Sequence, residues 1–423
     1  MRIAIVTTMA GGPWGGSEEL WADMAEAALA EGHEVAALIY RWPTVPPRIL
    51  RLQQDGARIL KRSRHRLPKL SNALAKLARR PVSLPRPAKL ITAFTFKNFS
   101  DFKPDVVCVS QAAPFDAEEQ RELVQWLDDT STPYVVVSHF NNDAWVLADG
   151  TRKLATAFLS RARSAAFVSQ RNLKTVERQL ATSLANALVV RNPVNLTELN
   201  ALPWPEGESI KMASVAQLRA NDKGQDILLE TLAAEVWRER NWRLHLFGEG
   251  PDKEYLKRLA GHYGIAERIA FRGHVADVRS IWAECHLLAL PSRAEGTPLA
   301  LVEAMICGRP SVVTDVGGNA EFVEEPRTGF VAEAATARSF GAALERAWCA
   351  QAGWRRAGQN AHEQALRKLD HAPGKTFLNV VLDAACASDA SAHKARTGTQ
   401  AVAAVPARDC DNPQELPVEG VSR

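Results

Sequence analysis

Short apolar runs rich in β-branched residues alternate with stretches of helical period along most of this chain, and the series is run through twice. That alternation leaves little choice of architecture. Strands joined by crossover helices pair in parallel, and a parallel sheet needs helices on both faces. In the first half, residues 3–6, 35–39, 106–109 and 134–138 read as buried strands, with shorter ones at 166–168 and 188–190. Ser17 reads as the N-cap of a helix that sets Leu20, Trp21, Met24, Ala25, Ala28 and Leu29 on one face before Gly32 stops it. Asn192-Pro193 and then Leu202-Pro203-Trp204-Pro205-Glu206-Gly207 read as a linker. Beyond it the series restarts, with strands at 212–215, 244–247, 269–271, 287–290 and 311–314.

The expected fold class is therefore α/β, with two Rossmann-like domains facing across a cleft, at 1–195 and 208–365. A length of 423 residues suits two such domains. A C-terminal helix at 366–387, with Phe377, Leu378, Val380, Val381 and Leu382 on its apolar face, is expected to pack back on the body. Residues 388–423 read as a disordered tail rich in Ala, Ser, Thr and Pro. Ligands of doubly wound sheets bind outside the carboxyl ends of the strands, so the facing strand ends are the candidate site. The six cysteines show no CxxC or paired spacing and read as reduced, which points to the cytoplasm. No stretch approaches the roughly 20 apolar residues of a membrane span. The opening run Met1–Val6 is too short for a signal peptide.

The most informative segment is Pro291-Ser292-Arg293-Ala294-Glu295-Gly296-Thr297-Pro298-Leu299-Ala300-Leu301-Val302-Glu303-Ala304-Met305. A strand ends here in a loop of small residues, and Pro298 suits the first turn of a following helix, where a missing N–H costs nothing. The helix N-terminus then offers free amides to an anion such as a diphosphate. Glu295 in the loop and Glu303 in the helix would line one cleft wall. Carboxylates accept paired hydrogen bonds from vicinal hydroxyls, as on a sugar ring or a ribose. The plain alternative is an exposed loop acid and a helix-start acid favoured by the macrodipole.

On these residues the chain resembles glycosyltransferase family 4, whose hallmark is two glutamates separated by seven residues, here Glu295 and Glu303. Gly248-Glu249-Gly250-Pro251, Phe271-Arg272-Gly273-His274-Val275, Ala304-Met305-Ile306-Cys307-Gly308-Arg309-Pro310 and Asp315-Val316-Gly317-Gly318-Asn319-Ala320-Glu321 follow the family's order and spacing. The resemblance runs from about residue 2 to about 348 and is strongest from 214 to 329. It implies a GT-B fold, retention of anomeric configuration and no required metal. It further implies that Glu303 grips the donor ribose and Glu295 faces the transferred sugar. Backbone amides across Gly296, Thr297, Pro298 and Leu299 would hold sugar hydroxyls and diphosphate, and Arg272, Gly273, His274 and Val275 would lie near the base.

Transfer from a nucleotide diphosphate builds negative charge on the departing phosphate, which cations and amides must absorb. The family uses an Arg and a Lys ahead of a helix. Lys223-Gly224-Gln225-Asp226 matches the lysine portion, whereas Gln217 stands where the arginine aligns and Arg219 lies two residues on. Lys223 and Arg219 are the expected cations. Gly11-Gly12-Pro13-Trp14-Gly15-Gly16-Ser17 is a glycine-rich turn ahead of a helix; by the resemblance, Gly15 and Gly16 meet the diphosphate. His139 follows a strand end and can reach the cleft; the family often has a histidine near the transferred sugar, and a structural histidine is the alternative. No DxD sits at a strand end, so no metal is expected. The nicotinamide fingerprint GxGxxG is missing.

Residues 41–97 hold fifteen Lys and Arg against the single acid Asp55, interleaved with leucines and broken by prolines. Such a block signals an anionic partner. An anionic membrane surface beneath a lipid-linked acceptor fits, with a solvated helical insertion as the alternative; no nucleic-acid module is visible. The functional expectation is thus a retaining glycosyltransferase that uses a nucleotide-sugar donor and a glycan or lipid-linked acceptor in polysaccharide or glycolipid biosynthesis. It would work in the cytoplasm, or peripherally on the inner face of the cell membrane. A nucleotide-sugar epimerase of like architecture and a catalytically silent nucleotide-sugar-binding protein are the alternatives.

Overall fold

Two parallel sheets organise the chain. The structure, a computed structural model, describes residues 1–62, 99, 101–116 and 120–396, the last ten as backbone alone. Most of the basic stretch (63–98) and residues 397–423 of the expected tail lie outside the described residues.

The first sheet contains β1 (Arg2–Thr7), β2 (Glu34–Tyr40), β3 (Arg58–Arg62), β4 (Val106–Gln111), β5 (Tyr134–Ser138), β6 (Ser164–Phe167) and β7 (Ala187–Val189), in the order β3-β2-β1-β4-β5-β6-β7. The second contains β8 (Ile210–Val215), β9 (Trp242–Phe247), β10 (Ile269–Gly273), β11 (Leu287–Leu290), β12 (Ser311–Thr314) and β13 (Gly329–Ala332), ordered β10-β9-β8-β11-β12-β13. Every pairing within them is parallel. Strand order reverses between β1 and β4 in one sheet and between β8 and β11 in the other. Those switch points open a crevice at the strands' carboxyl ends.

The reason these sheets form is visible in their side chains. Successive residues of a strand point to opposite faces. Ile3 and Ile5 enter one apolar cluster while Ala4 and Val6 enter another. Leu287 and Ala289 likewise separate from Leu288 and Leu290. Both faces are covered by helices, so the strands are apolar throughout rather than alternating with polar residues.

β3 and β13 were not expected, and both are edge strands. Edge strands need less burial and carry weaker apolar signals; β3 is Arg-Ile-Leu-Lys-Arg and β13 begins with glycine. The first helix spans Gly16–Ala30 with Gly15 as its N-cap, so Ser17 sits inside the helix and does not cap it. The expected apolar face of that helix is buried apart from the partly buried Leu29.

The helix expected at 366–387 begins at Pro373 and runs to Arg396, after a preceding helix Trp354–Lys368. The preceding helix ends where Leu369 leaves helical backbone, at ψ 133°. Residues 388–396, expected as tail, continue the second helix. Its early turns return to the first sheet, where Phe377, Leu378 and Val381 are fully buried beside Ile3, Trp21 and Val35. Burying Phe377 alone contributes about 2–3 kcal/mol. Met1–Ala385 make one compact unit.

The linker is fixed to the second sheet by a buried arginine. Arg309 donates to the carbonyls of Leu202 and Pro203 at 3.3 and 2.6 Å and to Trp282 O at 2.8 Å. Its guanidinium also lies 5.4 Å from the ring centroid of Trp204. Among the described residues no helix is long and apolar enough to cross a membrane.

Candidate active site

The crevice between the two switch points is a cleft of about 1480 Å³, walled by both sheets' strand ends. Glu295 and Glu303, the two acids singled out in the sequence, both line it. β11 leads into the loop that carries Glu295, and the helix Leu299–Ile306 carries Glu303 one turn in. Pro298 is the N-cap of that helix rather than its first residue. Leu301 and Val302 make the first helical bonds back to Pro298 O, at 3.1 and 3.5 Å. The amides of Leu299 and Ala300 precede those bonds, and both residues line the cleft. They are the orphan donors of a helix start, suited to an anion.

Glu295 is buried, and its Oε1 accepts from Lys223 Nζ at 2.7 Å and from Ser292 Oγ at 2.8 Å. Its main chain belongs to a junction between the two sheets. Asn141 N and Asn172 Nδ2, both from the first domain, donate to Glu295 O at 3.4 and 3.2 Å. Thr297 Oγ1 donates to Val168 O at 2.8 Å. Gly296 presses so closely on this seam that a Cβ there would lie 1.9 Å from His139 O. Only glycine fits. Gly296 and Thr297 thus join the domains as well as line the cleft.

Glu303 is almost fully buried, and Asn195 N donates to its Oε1 at 3.2 Å. Burial raises its pKa to about 7 because a charged carboxylate loses its hydration there. His139 also lines the cleft. Its Nε2 is 3.3 Å from Ser110 Oγ, and burial lowers its pKa to about 4. At neutral pH it is an uncharged hydrogen-bonding group.

Lys223 and Arg219 both reach the cleft. Lys223 closes the short helix Ala220–Lys223, and Gly224 follows at φ 66°, turning the chain into the helix Gln225–Ala233. The Arg219 guanidinium lies 3.7 Å from where a Cβ on Gly11 would stand. The cation from the second domain thereby meets the glycine-rich turn of the first. Gln217 lines the cleft too, while its carbonyl is taken by Gln225 Nε2 at 2.8 Å. Gly15 and Gly16 stand opposite the helix Leu299–Ile306; a Cβ on Gly16 would lie 3.5 Å from Leu299 Cδ1.

One expected stretch divides. His274 and Val275 line the cleft, but Arg272 and Gly273 are not among its lining residues. The Arg272 guanidinium turns instead to Glu284 Oε1, at 3.2 Å, and over the ring of Phe247.

Several cleft residues escaped the sequence reading. Glu19 receives Trp14 Nε1 at 2.5 Å and pairs with Arg48, which also pairs with Asp23 and Glu26. Neither stood out in the sequence: Glu19 is a first-turn acid of an ordinary helix, and Arg48 is one cation among many in the basic stretch. Trp145, with Phe140 at 5.9 Å between ring centroids, forms a partly exposed aromatic wall on the first domain. No local spacing marks such a pair.

Residues 210–349 match the family model of glycosyl transferases group 1. An uncharacterised glycosyltransferase of Haemophilus influenzae is 32% identical over 149 residues, 35% of this chain and 41% of its own. The chain spans less than half the length of the curated relatives it matches first. HepE of Anabaena, solved in complex with UDP, superposes with a TM-score of 0.68 at 18% identity, covering 90% of this chain and 100% of that one. A glycosyltransferase of Rickettsia africae superposes with a TM-score of 0.65 at 14% identity over 90% of this chain and 98% of its own. Residues 210–349 therefore carry a glycosyl transferases group 1 domain, set in a chain with the GT-B fold of two facing parallel-sheet domains.

Proposed function

We propose that the protein is a retaining glycosyltransferase that moves a sugar from a nucleotide diphosphate donor to a glycan or lipid-linked acceptor, in polysaccharide or glycolipid assembly. One observation carries the reading. A buried carboxylate (Glu303), a lysine-paired carboxylate (Glu295) and the open helix start at Leu299 share one cleft wall. Across from them stands the glycine-rich turn of the other domain.

In this reading Glu303 accepts hydrogen bonds from the ribose hydroxyls and Glu295 from the transferred sugar. Breaking the bond between the anomeric carbon and the diphosphate leaves charge on the phosphate. Lys223, Arg219 and the amides of Leu299 and Ala300 absorb it, with no metal required. The acceptor hydroxyl attacks the anomeric carbon from the same face, and its proton passes to the departing phosphate. Neutral His139 offers a hydrogen bond near the sugar. His274 and Val275 serve the base side. The UDP bound in HepE makes uridine donors the first to try. We also read the protein as cytoplasmic and peripheral on an anionic membrane face, on the charge of residues 41–97.

The test is a panel of nucleotide sugars, screened by thermal shift and then for transfer to lipid and glycan acceptors. At least one donor is expected to raise the melting temperature in the wild type, less so in Glu303→Gln, and to be consumed only with an acceptor present. Donor conversion without an acceptor would favour an epimerase, and a panel without any shift or turnover would overturn the proposal.

A further inference from the structure

Away from the cleft lining, three groups with metal-ligand chemistry converge. His245 lies on β9; Glu284 ends the helix Val278–Glu284, and Cys285 follows it ahead of β11. His245 Nδ1 stands 3.8 Å from Glu284 Oε1 and 3.9 Å from Cys285 Sγ. All three ligand atoms lie within 4.8 Å of one another. None of these residues lines the cleft, so nothing in the proposed transfer reaction employs them.

We propose that His245, Glu284 and Cys285 form a binding site for a thiophilic divalent cation, with zinc as the best fit and water in the fourth position. Bond lengths of about 2.0–2.3 Å to N, O and S in a tetrahedron put ligand atoms roughly 3.3–3.7 Å apart. The two distances from His245 need only a small contraction. The remaining gap closes by rotation of the Glu284 side chain, which is 29% exposed, once its oxygen parts from Arg272. One imidazole, one thiolate and one carboxylate select a borderline-soft ion over magnesium or calcium, which prefer all-oxygen shells. Burial lowers the pKa of His245 from its ordinary value, which favours the neutral imidazole and its lone pair.

The surrounding charges set the exchange that binding entails. Arg272 Nη2 holds Glu284 Oε1 at 3.2 Å, and Lys211 and Arg243 stand nearby. The ion takes the place of Arg272 beside the carboxylate, and the guanidinium, already 43% exposed, swings to solvent. Burial pushes the Cys285 thiol up to about 12, so the ion itself must displace the proton to water, and one proton leaves per ion bound. Thiolate and carboxylate together balance the ion's two charges.

The experiment titrates the chelator-stripped full chain with zinc against a competing chelator, and with cobalt(II) followed by absorbance. One equivalent is expected to bind, with a thiolate-to-cobalt charge-transfer band and a rise in melting temperature with zinc. Cys285→Ser should remove the band, and both it and His245→Ala should weaken zinc at least about 10-fold. Because Cys285 is buried, Glu284→Gln serves as a milder variant and should weaken zinc similarly. Changing Cys349, Cys386 and Cys410 together to Ser should leave both signals intact. A band that survives Cys285→Ser, or zinc binding unchanged by Glu284→Gln, would overturn the assignment.

Discussion

Lys223 Nζ and Ser292 Oγ converge on one oxygen, Glu295 Oε1, at 2.7 and 2.8 Å. The lysine comes from the end of a short helix after β8 and the carboxylate from the loop after β11, so the pair bridges the two strands flanking the switch point. Lys223 holds Glu295 and, in the proposed reaction, also meets the leaving phosphate. Lys223→Ala is expected to lower transfer turnover by about 100-fold or more, about 3 kcal/mol of barrier, with donor KM changed only a few-fold. Steady-state kinetics decide it; a loss confined to KM would remove Lys223 from the chemistry.

Glu303 ties function to pH. Its folded pKa is raised to about 7, against an ordinary value of 4.5. Between those values the folded chain keeps a proton that the unfolded chain has released. The stability this group contributes is therefore complete below pH 4.5 and is lost as pH rises through 7. Glu303→Gln should make the unliganded protein more stable above pH 7, by up to about 3 kcal/mol. The ionised carboxylate is the better acceptor for ribose hydroxyls, so donor affinity should rise with pH through 7 in the wild type. The Gln variant should lose that dependence and bind roughly 10-fold more weakly. Denaturant melts and donor titrations at pH 5.5 and 8.5 test both statements. Glu18, raised to about 7 by the same cause, leaves a residual pH slope of stability in the variant.

Central strands and the two glutamates were legible because their signals are local. Tyr134–Ser138, Leu287–Leu290 and Ser311–Thr314 are continuous apolar runs with sharp ends, and the structure returns the same bounds. The spacing of Glu295 and Glu303 survives folding because a loop and one helical turn connect them. What escaped the sequence depends on distant partners. Arg272 has a local context that points to the cleft, yet Glu284, twelve residues on, turns it away. The grip of Asn141 and Asn172 on Glu295 O joins residues more than a hundred positions apart. Gly296 was expected to offer its backbone amide to the donor; the structure adds that the closest approach to a Cβ there would be by His139 O of the other domain.

That approach gives a steric prediction. A Cβ at residue 296 would lie 1.9 Å from His139 O and 2.8 Å from Val168 Cγ2, and backbone cannot yield there without moving a domain. Gly296→Ala should cost about 1–3 kcal/mol of stability and most of the activity. It should also shift the solution scattering profile toward a more open pair of domains. Gly12→Ala is the control, since the contact nearest its Cβ is an ordinary 3.7 Å, to Trp14 O. Equal activity in both variants would remove the seam from the account of Glu295.

In the proposed reaction the second cation comes from Arg219 rather than Gln217. Gln217 occupies the aligned position but is neutral, and its backbone is engaged by Gln225. Arg219 follows the β8 strand end and places its guanidinium beside Gly11, where the first domain's glycine turn faces the second. Its contact with Asp222, at 3.8 Å and partly exposed, is weak and easily exchanged for a phosphate. Arg219→Ala should therefore lower turnover about 10- to 100-fold, in the range of one lost charge-stabilising donor. Gln217→Ala should cost only a few-fold. Gln217→Arg introduced into the Arg219→Ala protein should recover part of the loss, because it returns a positive charge to the same wall of the cleft. Recovery would identify charge, rather than the particular position of the side chain, as what the site requires; an Arg219→Ala protein with wild-type turnover would show that Lys223 and the helix amides suffice without it.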